Sequence, residues 1–396
     1  MNNDSFFESV ERLAIELTEE KIPYQFIDST SLRIQGVNGL VNKHEIILLI
    51  QWDLLEKVYH LYESFSPGEI TRDRQKASFQ FWRDGFLITV ICQFNTTVKT
   101  DPYRISIPYK GVELWCHSLY AEIYLNDYTY SKEIHEYLLS KHDEMTSINK
   151  EAWNQNNYQA LVNRFGLPEE AAMKIKENPR WRLHPFQKYL PDDVGSKKVL
   201  HLLGSNGVKG VSLALLGADV TIVDFSNENK VFATKLSESA GVSIQYIVSD
   251  ALSVSEKITD SFDIVLMELG VLHYFIDLKP LANTIKQLLN INGRFILHEF
   301  HPISTKLITS NGKKHKVTGN YFDSSIHTQS IAFSKHLSEV DKTESQVVYQ
   351  RRWTLGEVIT TFSREGLFTE VLEEEPNHKL HDFGLPKTFT LVCKKI

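Results

Sequence analysis

Three cysteines in 396 residues, Cys92, Cys116 and Cys393, are too few and too far apart for a disulfide framework, and no CxxC pair marks a zinc site. Long apolar runs are missing as well: stretches such as IILLI fall far short of the roughly 20 residues that cross a bilayer. The opening MNNDSFFESV lacks a basic region followed by an apolar core, so no secretory leader is expected. Positive charge is scarce, with 43 Lys and Arg against 50 Asp and Glu and a net charge of -7. Nucleic-acid binders normally present a basic face, so a large phosphate-binding footprint is disfavoured. Repeats and low-complexity tracts are absent. The expectation is a globular, cytoplasmic protein with no membrane association.

Apolar residues at 42% and aromatics at 11% supply cores for two or three domains. Two rhythms meet near residue 145. Before it, Phe6, Val10, Leu13 and Leu17 recur at helical spacing, followed by strand-like runs YQFI, SLRIQG and EIILLI. A second helix, DLLEKVYHLYESF, precedes strand candidates SFQFW, FLITVICQF, RISIPY and VELWC and a helix LYAEIYL, so this part reads as mixed α/β. The polar helical stretch that follows suits a connector and lid, giving expected domains 1–145, 146–190 and 191–396. From Lys197 onward apolar strands alternate with helices, KKVLHLL, DVTIVDF, IQYIVS, FDIVLMEL and GRFILHEF, which predicts a parallel sheet covered on both faces. TLGEVITTFSREG carries a Thr354/Glu357 capping box with Gly366 as its stop, and LFTEVLEEE and TFTLVCKK read as a closing pair of strands.

The segment VLHLLGSNGVKGVSLALLGADVTIVDFS, from Val199 to Ser226, concentrates the chemistry. A strand breaks into Gly204, Ser205, Asn206 and Gly207, whose small side chains let a ligand approach the main chain. After one helix a second strand ends in Asp224, at the sheet edge where open parallel sheets bind ligands. A carboxylate there accepts hydrogen bonds from a ribose diol, so an adenosine-containing ligand is inferred. The Gly204 to Asp224 spacing also suits a nicotinamide cofactor, and a surface Asp after an ordinary turn is the plain alternative.

From about Trp153 to the C-terminus the order of motifs resembles class I S-adenosylmethionine-dependent methyltransferases. That resemblance implies a Rossmann-like, doubly wound, mostly parallel sheet with an antiparallel C-terminal strand, and S-adenosyl-L-methionine as cofactor. It places Gly204 to Gly207 beside the methionine moiety and Asp224, with Phe225 and Ser226, at the ribose. Asp250 in IVSDAL becomes the partner of the adenine amino group, with Ala251 and Leu252 lining the base. FDIVLMELGVLHYF matches the fourth-strand motif, with Asp263 near its start and Glu268, Leu269 and Gly270 at its carboxyl end. The family's first loop is closer to DxGxGxG; here His201 replaces the acid, and Leu203 and Ser205 replace two glycines.

Methyl transfer from a sulfonium needs chiefly alignment and exclusion of water. His273 and Tyr274 after the fourth strand, and His301 after the fifth, are the candidates for assisting a nucleophile's proton; each also suits a purely structural hydrogen bond. In HEFH the two histidines are three apart on a strand and face opposite sides, so no metal site is expected. Trp153 and Tyr158, in the preceding helix, are candidates to cover the cofactor, or simple packing. NGKKHK, from Asn311 to Lys316, reads as a solvated loop near the substrate side. Tyr349, Arg351, Arg352 and Trp353 line the active-site mouth or anchor the following helix. A small-molecule acceptor is the expected partner, with an RNA methyltransferase or a non-catalytic cofactor-binding module as alternatives. The N-terminal part weakly resembles the nucleotidyltransferase fold, with Gly36 and Gly39 in the turn. Glu45 and Ile47 stand where active members carry two carboxylates, and Ile47 has no oxygen for a hard cation.

Overall fold

The computed structural model describes residues 3–41, 44–124, 129–311, 314–337, 347–378 and 384–396. Two compact units divide the chain, Met1–Ser140 with Phe322–Ser324 and Lys141–Tyr321 with Ser325–Ile396. In the first, the apolar stripe of α1 (Asn3–Glu19) is buried at Phe6, Val10, Leu13 and Leu17. It packs within the core of a seven-stranded mixed sheet. Its elements are β1 (Tyr24–Phe26), α2 (Asp28–Ile34), β2 (Glu45–Ile50), α3 (Leu55–Leu61), β3 (Thr71–Arg72), β4 (Lys76–Arg83), β5 (Phe86–Gln93), β6 (Arg104–Tyr109), β7 (Val112–His117) and α4 (Leu119–Tyr124), with strand order β3-β4-β5-β2-β1-β7-β6.

One expected strand is a helix instead. SLRIQG begins within α2, where Ser31 Oγ donates to the His117 carbonyl and Thr30 Oγ1 accepts from the Ile47 amide at 2.8 Å. Small hydroxyl side chains let this helix seat against its neighbours, so tertiary contact overrides the strand preference of Leu-Arg-Ile. Gly36 (φ 92°) and Gly39 (φ 83°) follow in the left-handed region that the turn requires.

The second unit contains most of α5 (Ser131–Trp153), then α6 (Asn157–Phe165), α7 (Pro168–Glu177) and α8 (Pro179–Arg182). The alternating run follows: β8 (Lys198–Leu202), α9 (Val208–Leu215), β9 (Asp219–Asp224), α10 (Asn227–Ala240), β10 (Gln245–Val248), β11 (Phe262–Glu268), α11 (Leu278–Leu288) and β12 (Leu289–Phe300). Strand pairs β13 (Ile308–Asn311) with β14 (Lys314–Val317) and β15 (Ile326–Ser330) with β16 (Val347–Arg351) form two antiparallel ribbons. NGKKHK therefore falls largely in a hairpin, its Gly312 and Lys313 lying outside the described residues. Then come α12 (Leu355–Arg364), β17 (Leu367–Pro376) and β18 (Pro386–Lys395).

The second sheet has the order β10-β9-β8-β11-β12-β18-β17, parallel through β12 and antiparallel at β18 and β17. The crossover order reverses between β8 and β11, so the loops after β8 and β11 diverge at the carboxyl edge and leave a crevice. Asp263 fastens the opposite edge, accepting from the Lys198 amide at 3.0 Å and from Asn290 Nδ2 at 3.1 Å. The capping box is present on α12, with Thr354 Oγ1 accepting from the Glu357 amide and Gly366 at φ 88°. Among the described residues no helix is long and apolar enough to cross a membrane, and no His, Cys, Asp or Glu group suited to a metal occurs.

Gly207 combines a left-handed backbone (φ 74°) with a Cβ position only 2.6 Å from that of Ala233 on α10. Gly207→Ala is therefore expected to destabilise the second unit by about 2 kcal/mol or more, read as a lower urea midpoint at unchanged slope.

Candidate active site

The turn after β8 is shaped by close packing. A Cβ at Gly204 would stand 2.6 Å from Ile222 Cγ2, and one at Gly210 would stand 2.5 Å from Ile222 Cδ1. Gly204, Gly207 and Gly210 thus bring the loop and α9 down onto β9, a three-residue spacing visible in GSNGVKG although Gly210 was not among the expected residues. Leu203 (φ 52°) and Ser205 (φ 47°), where the resembling family carries glycine, hold left-handed conformations that cost an L-residue roughly 1–2 kcal/mol each. Beneath the loop His201 is fully buried, neither ring nitrogen has a hydrogen-bond partner, and burial with Lys209 nearby lowers its pKa to about 3. Glu268 lies 3.6 Å from its Nε2 and ion-pairs with Lys209. This places Glu268 with the loop's underside rather than in either hollow described below.

Asp224 gathers the loop, the strand end and the next helix. Its Oδ2 accepts from the Ser205 amide at 3.1 Å; its Oδ1 accepts from the Ser226 amide at 2.9 Å and from Asn229 Nδ2 at 3.1 Å. Burial raises its pKa despite these bonds. Three of roughly four acceptor positions are used, leaving room for one ligand hydroxyl. Ser226 is the cap of α10, its Oγ accepting from the Asn229 amide and donating to the Trp153 carbonyl, and makes no wall of the hollow.

Asp224 and Asp250 line one hollow together with Leu203, Phe225, Ala251 and Tyr274. Leu252 supports it from behind, its amide donating to Asp250 Oδ2 at 2.9 Å. The cover is neither Trp153 nor Tyr158. Tyr158 packs on Phe232 of α10 and its hydroxyl accepts from Lys235. Trp153 sits outside the lining and donates from Nε1 to the Tyr274 hydroxyl at 3.0 Å. His142, Thr146 and Asn149, one face of α5 at helical spacing, close the hollow instead. The His142 ring stacks on Phe275 at 5.6 Å and 8° between planes, with Nε2 3.4 Å from Asp250 Oδ1. A planar heterocycle thus already uses the stacking face and the carboxylate that an adenine base would use, and the closed hollow, at about 10 Å³, has room for little more than one water.

A second, wider cavity opens on the other side of the turn after β11. His273, Gln350, Gln329, Arg352, Trp353 and Phe300 are among its walls. Its back wall is Glu299, whose carboxylate accepts from the Gly270, Val271, Leu272 and Phe300 amides. Leu269 (φ 40°) and Gly270 (φ 78°) make the turn that points these amides inward, so Leu269 and Gly270 shape the loop rather than line the first hollow. Trp353 Nε1 donates to the Leu272 and Phe275 carbonyls at 3.0 and 3.1 Å and pins the same turn. Arg351 anchors the helix, pairing with Glu357 at 2.6 Å, and the Tyr349 backbone is held by the Asn149 side-chain amide, which donates to its carbonyl and accepts from its N–H. His273 Nε2 accepts from Gln350 Nε2 at 3.0 Å, and burial with Arg352 nearby lowers its pKa to about 3. His301 is excluded from both cavities. Its Nε2 lies 2.6 Å from Glu374 Oε1 on β17 and its Nδ1 accepts from the Ile303 amide, so the structure gives it to the fold rather than to catalysis.

Asp250→Ala is expected to weaken binding of S-adenosylhomocysteine by about tenfold through loss of a charged acceptor, measured by calorimetry. His142→Ala should tighten it several-fold, because the competing ring is gone and more of the protein is binding-competent; unchanged or weaker binding would contradict that role.

Residues 203–297 match a family model described as a methyltransferase domain. No curated protein matches the chain. Among solved structures, a Listeria monocytogenes protein described as an S-adenosylmethionine-dependent methyltransferase is similar at 21% identity and a TM-score of 0.45, over 55% of this chain and 98% of that one. A Mesorhizobium loti S-adenosylmethionine-dependent methyltransferase is similar at 19% and 0.43, over 55% and 99%. Magnesium protoporphyrin IX methyltransferase from Synechocystis PCC 6803, with bound S-adenosylhomocysteine, stands at 11% and 0.39, over 63% and 99%. Residues 203–297 are therefore similar to a methyltransferase domain, and the cofactor that such a domain takes is S-adenosyl-L-methionine.

Proposed function

We propose that the chain is an S-adenosylmethionine-dependent methyltransferase acting on a small-molecule acceptor. The observation that carries this reading is the turn after β11: Tyr274 and Phe275 wall the Asp224–Asp250 hollow, while Leu272 and His273 wall the second cavity. Four consecutive residues separate the hollow of the two acids, closed here by the His142 ring, from a wider cavity on the other side, and in-line transfer between two bound reactants demands two such adjoining sites.

Gly204 and Gly207, Asp224 and Asp250 are the residues that would hold the cofactor, which when bound supplies a methyl group already activated by a sulfonium. The chain's own contribution is placement and dryness. Glu299 and Trp353 fix the partition from opposite ends through backbone groups. The Tyr274 hydroxyl stays protonated, since burial raises its pKa, and accepts the Trp153 N–H. His273 is neutral and, with a pKa near 3, too weak a base to collect a proton efficiently at neutral pH. It orients the acceptor together with Gln350, and the nucleophile loses its proton to solvent or arrives without one.

For the first unit the proposal is a nucleotidyltransferase-like domain without that activity. Glu45 Oε1 accepts from Thr89 Oγ1 at 2.7 Å and Ile47 is buried, so β2 offers no free pair of carboxylates. A cytoplasmic location, in keeping with three far-apart cysteines, and a small molecule in preference to a nucleic acid as partner, in keeping with the acidic charge, belong to the same proposal.

Incubation with methyl-labelled S-adenosylmethionine and separated metabolite, RNA and protein fractions tests the acceptor class. Label in a metabolite is expected; label confined to RNA or protein, or none, would contradict it.

A further inference from the structure

The second cavity carries a charge pattern that narrows the acceptor, and the inference rests on the methyltransferase reading above. Arg352 lines this cavity, and among the described residues no carboxylate pairs with its guanidinium; its hydrogen bond is to the Thr305 carbonyl through Nη1. Its neighbour Arg351 is neutralised by Glu357, and Lys306 donates to the Arg352 carbonyl at 2.8 Å, which fixes the backbone from which Arg352 projects. Glu299, the acid in the lining, is saturated by four amides of its own wall. Among the described residues this cation thus has no carboxylate partner at the wall of an otherwise largely apolar cavity, in a protein of net charge -7. Phe300, Trp353, Phe389 and Pro302 supply flat apolar surface, and Gln329 and Gln350 supply neutral hydrogen-bonding edges.

We infer that the acceptor is a small molecule with a planar or apolar body and one carboxylate, the carboxylate being received by Arg352. The Nη1 bond to Thr305 leaves the Nη2/Nε edge of the guanidinium for a two-point contact with a planar carboxylate. A single cation matches a monoanion; a phosphomonoester, at nearly two negative charges, would leave about one charge without a partner beside buried Glu299. The same contact orients the body of the molecule toward His273 and Gln350, which stand beside the partition from the cofactor hollow. An anion at Arg352 also cancels the positive field that, after burial, holds the His273 pKa down. Arg352 is therefore a specificity-determining residue of the acceptor cavity.

Benzoate, benzamide and benzylamine share one flat body and differ in charge, so they probe the site without knowledge of the natural acceptor. Ligand-observed NMR on the full chain, with and without S-adenosylhomocysteine, should show benzoate binding roughly tenfold more tightly than benzamide, with benzylamine weakest. R352Q should erase the preference for benzoate, and R352K, which keeps the charge without the fork, should retain part of it. Calorimetry with S-adenosylhomocysteine should give the same affinity for wild type and R352Q, which shows that the variant is folded. Equal binding of benzoate and benzamide, no binding of benzoate, or a benzoate preference that survives in R352Q overturns the carboxylate assignment while leaving the methyltransferase reading intact. Failure of the wild type to bind S-adenosylhomocysteine overturns the methyltransferase reading, with the Arg352 comparison still readable in its absence.

Discussion

The carboxylate of Asp224 is the constraint from which the site is assembled. Three polypeptide segments meet on it: the loop after β8 through the Ser205 amide, its own strand end through the Ser226 amide, and α10 through Asn229. Each bond uses a group that would otherwise be an orphan at a turn or helix start, so the acid satisfies the loop while the loop positions the acid. Burial makes ionisation costly, and the same hydrogen bonds oppose that cost. A charge held at the open end of a parallel sheet with an acceptor position to spare is what a ribose hydroxyl requires.

A second carboxylate does the corresponding work across the crevice. Glu299 gathers the amides of Gly270, Val271 and Leu272 and so folds the turn after β11 into a wall. Since His273 and Tyr274 follow directly, this wall sends neighbouring side chains into different cavities. The division of labour is then simple: one acid builds the cofactor side and the other builds the partition. Both acids are buried and both hold backbone amides, so each satisfies main-chain donors that its loop would otherwise leave unpaired.

Much of this could be read before any coordinates. Strand and helix alternation after Lys197 followed from apolar periodicity, and the acids at two strand ends, Asp224 and Asp250, do share one hollow. What local pattern could not show was any pairing distant in sequence. Glu299 sits in HEFH, where the flanking histidines draw attention, and its role depends on amides 27 to 29 residues away. His142 belongs to a polar helix that suggested a lid, yet its stacking on Phe275 depends on how α5 lies over the sheet. His301 failed in the opposite sense: the position after a fifth strand suggests chemistry, whereas the register of β12, β18 and β17 brings Glu374 to its ring. The α2 helix is hidden from local pattern for a similar reason, since its hydroxyl contacts come from β2 and the last residue of β7.

A crystal structure of the chain with S-adenosylhomocysteine tests the central claim most directly. The account predicts the adenosine between Asp224 and Asp250, the His142 ring displaced from Phe275, and the sulfur directed past Tyr274 toward the cavity of His273 and Arg352. Nucleoside density elsewhere on the sheet, or a hollow still closed by His142 at saturating ligand, would contradict it.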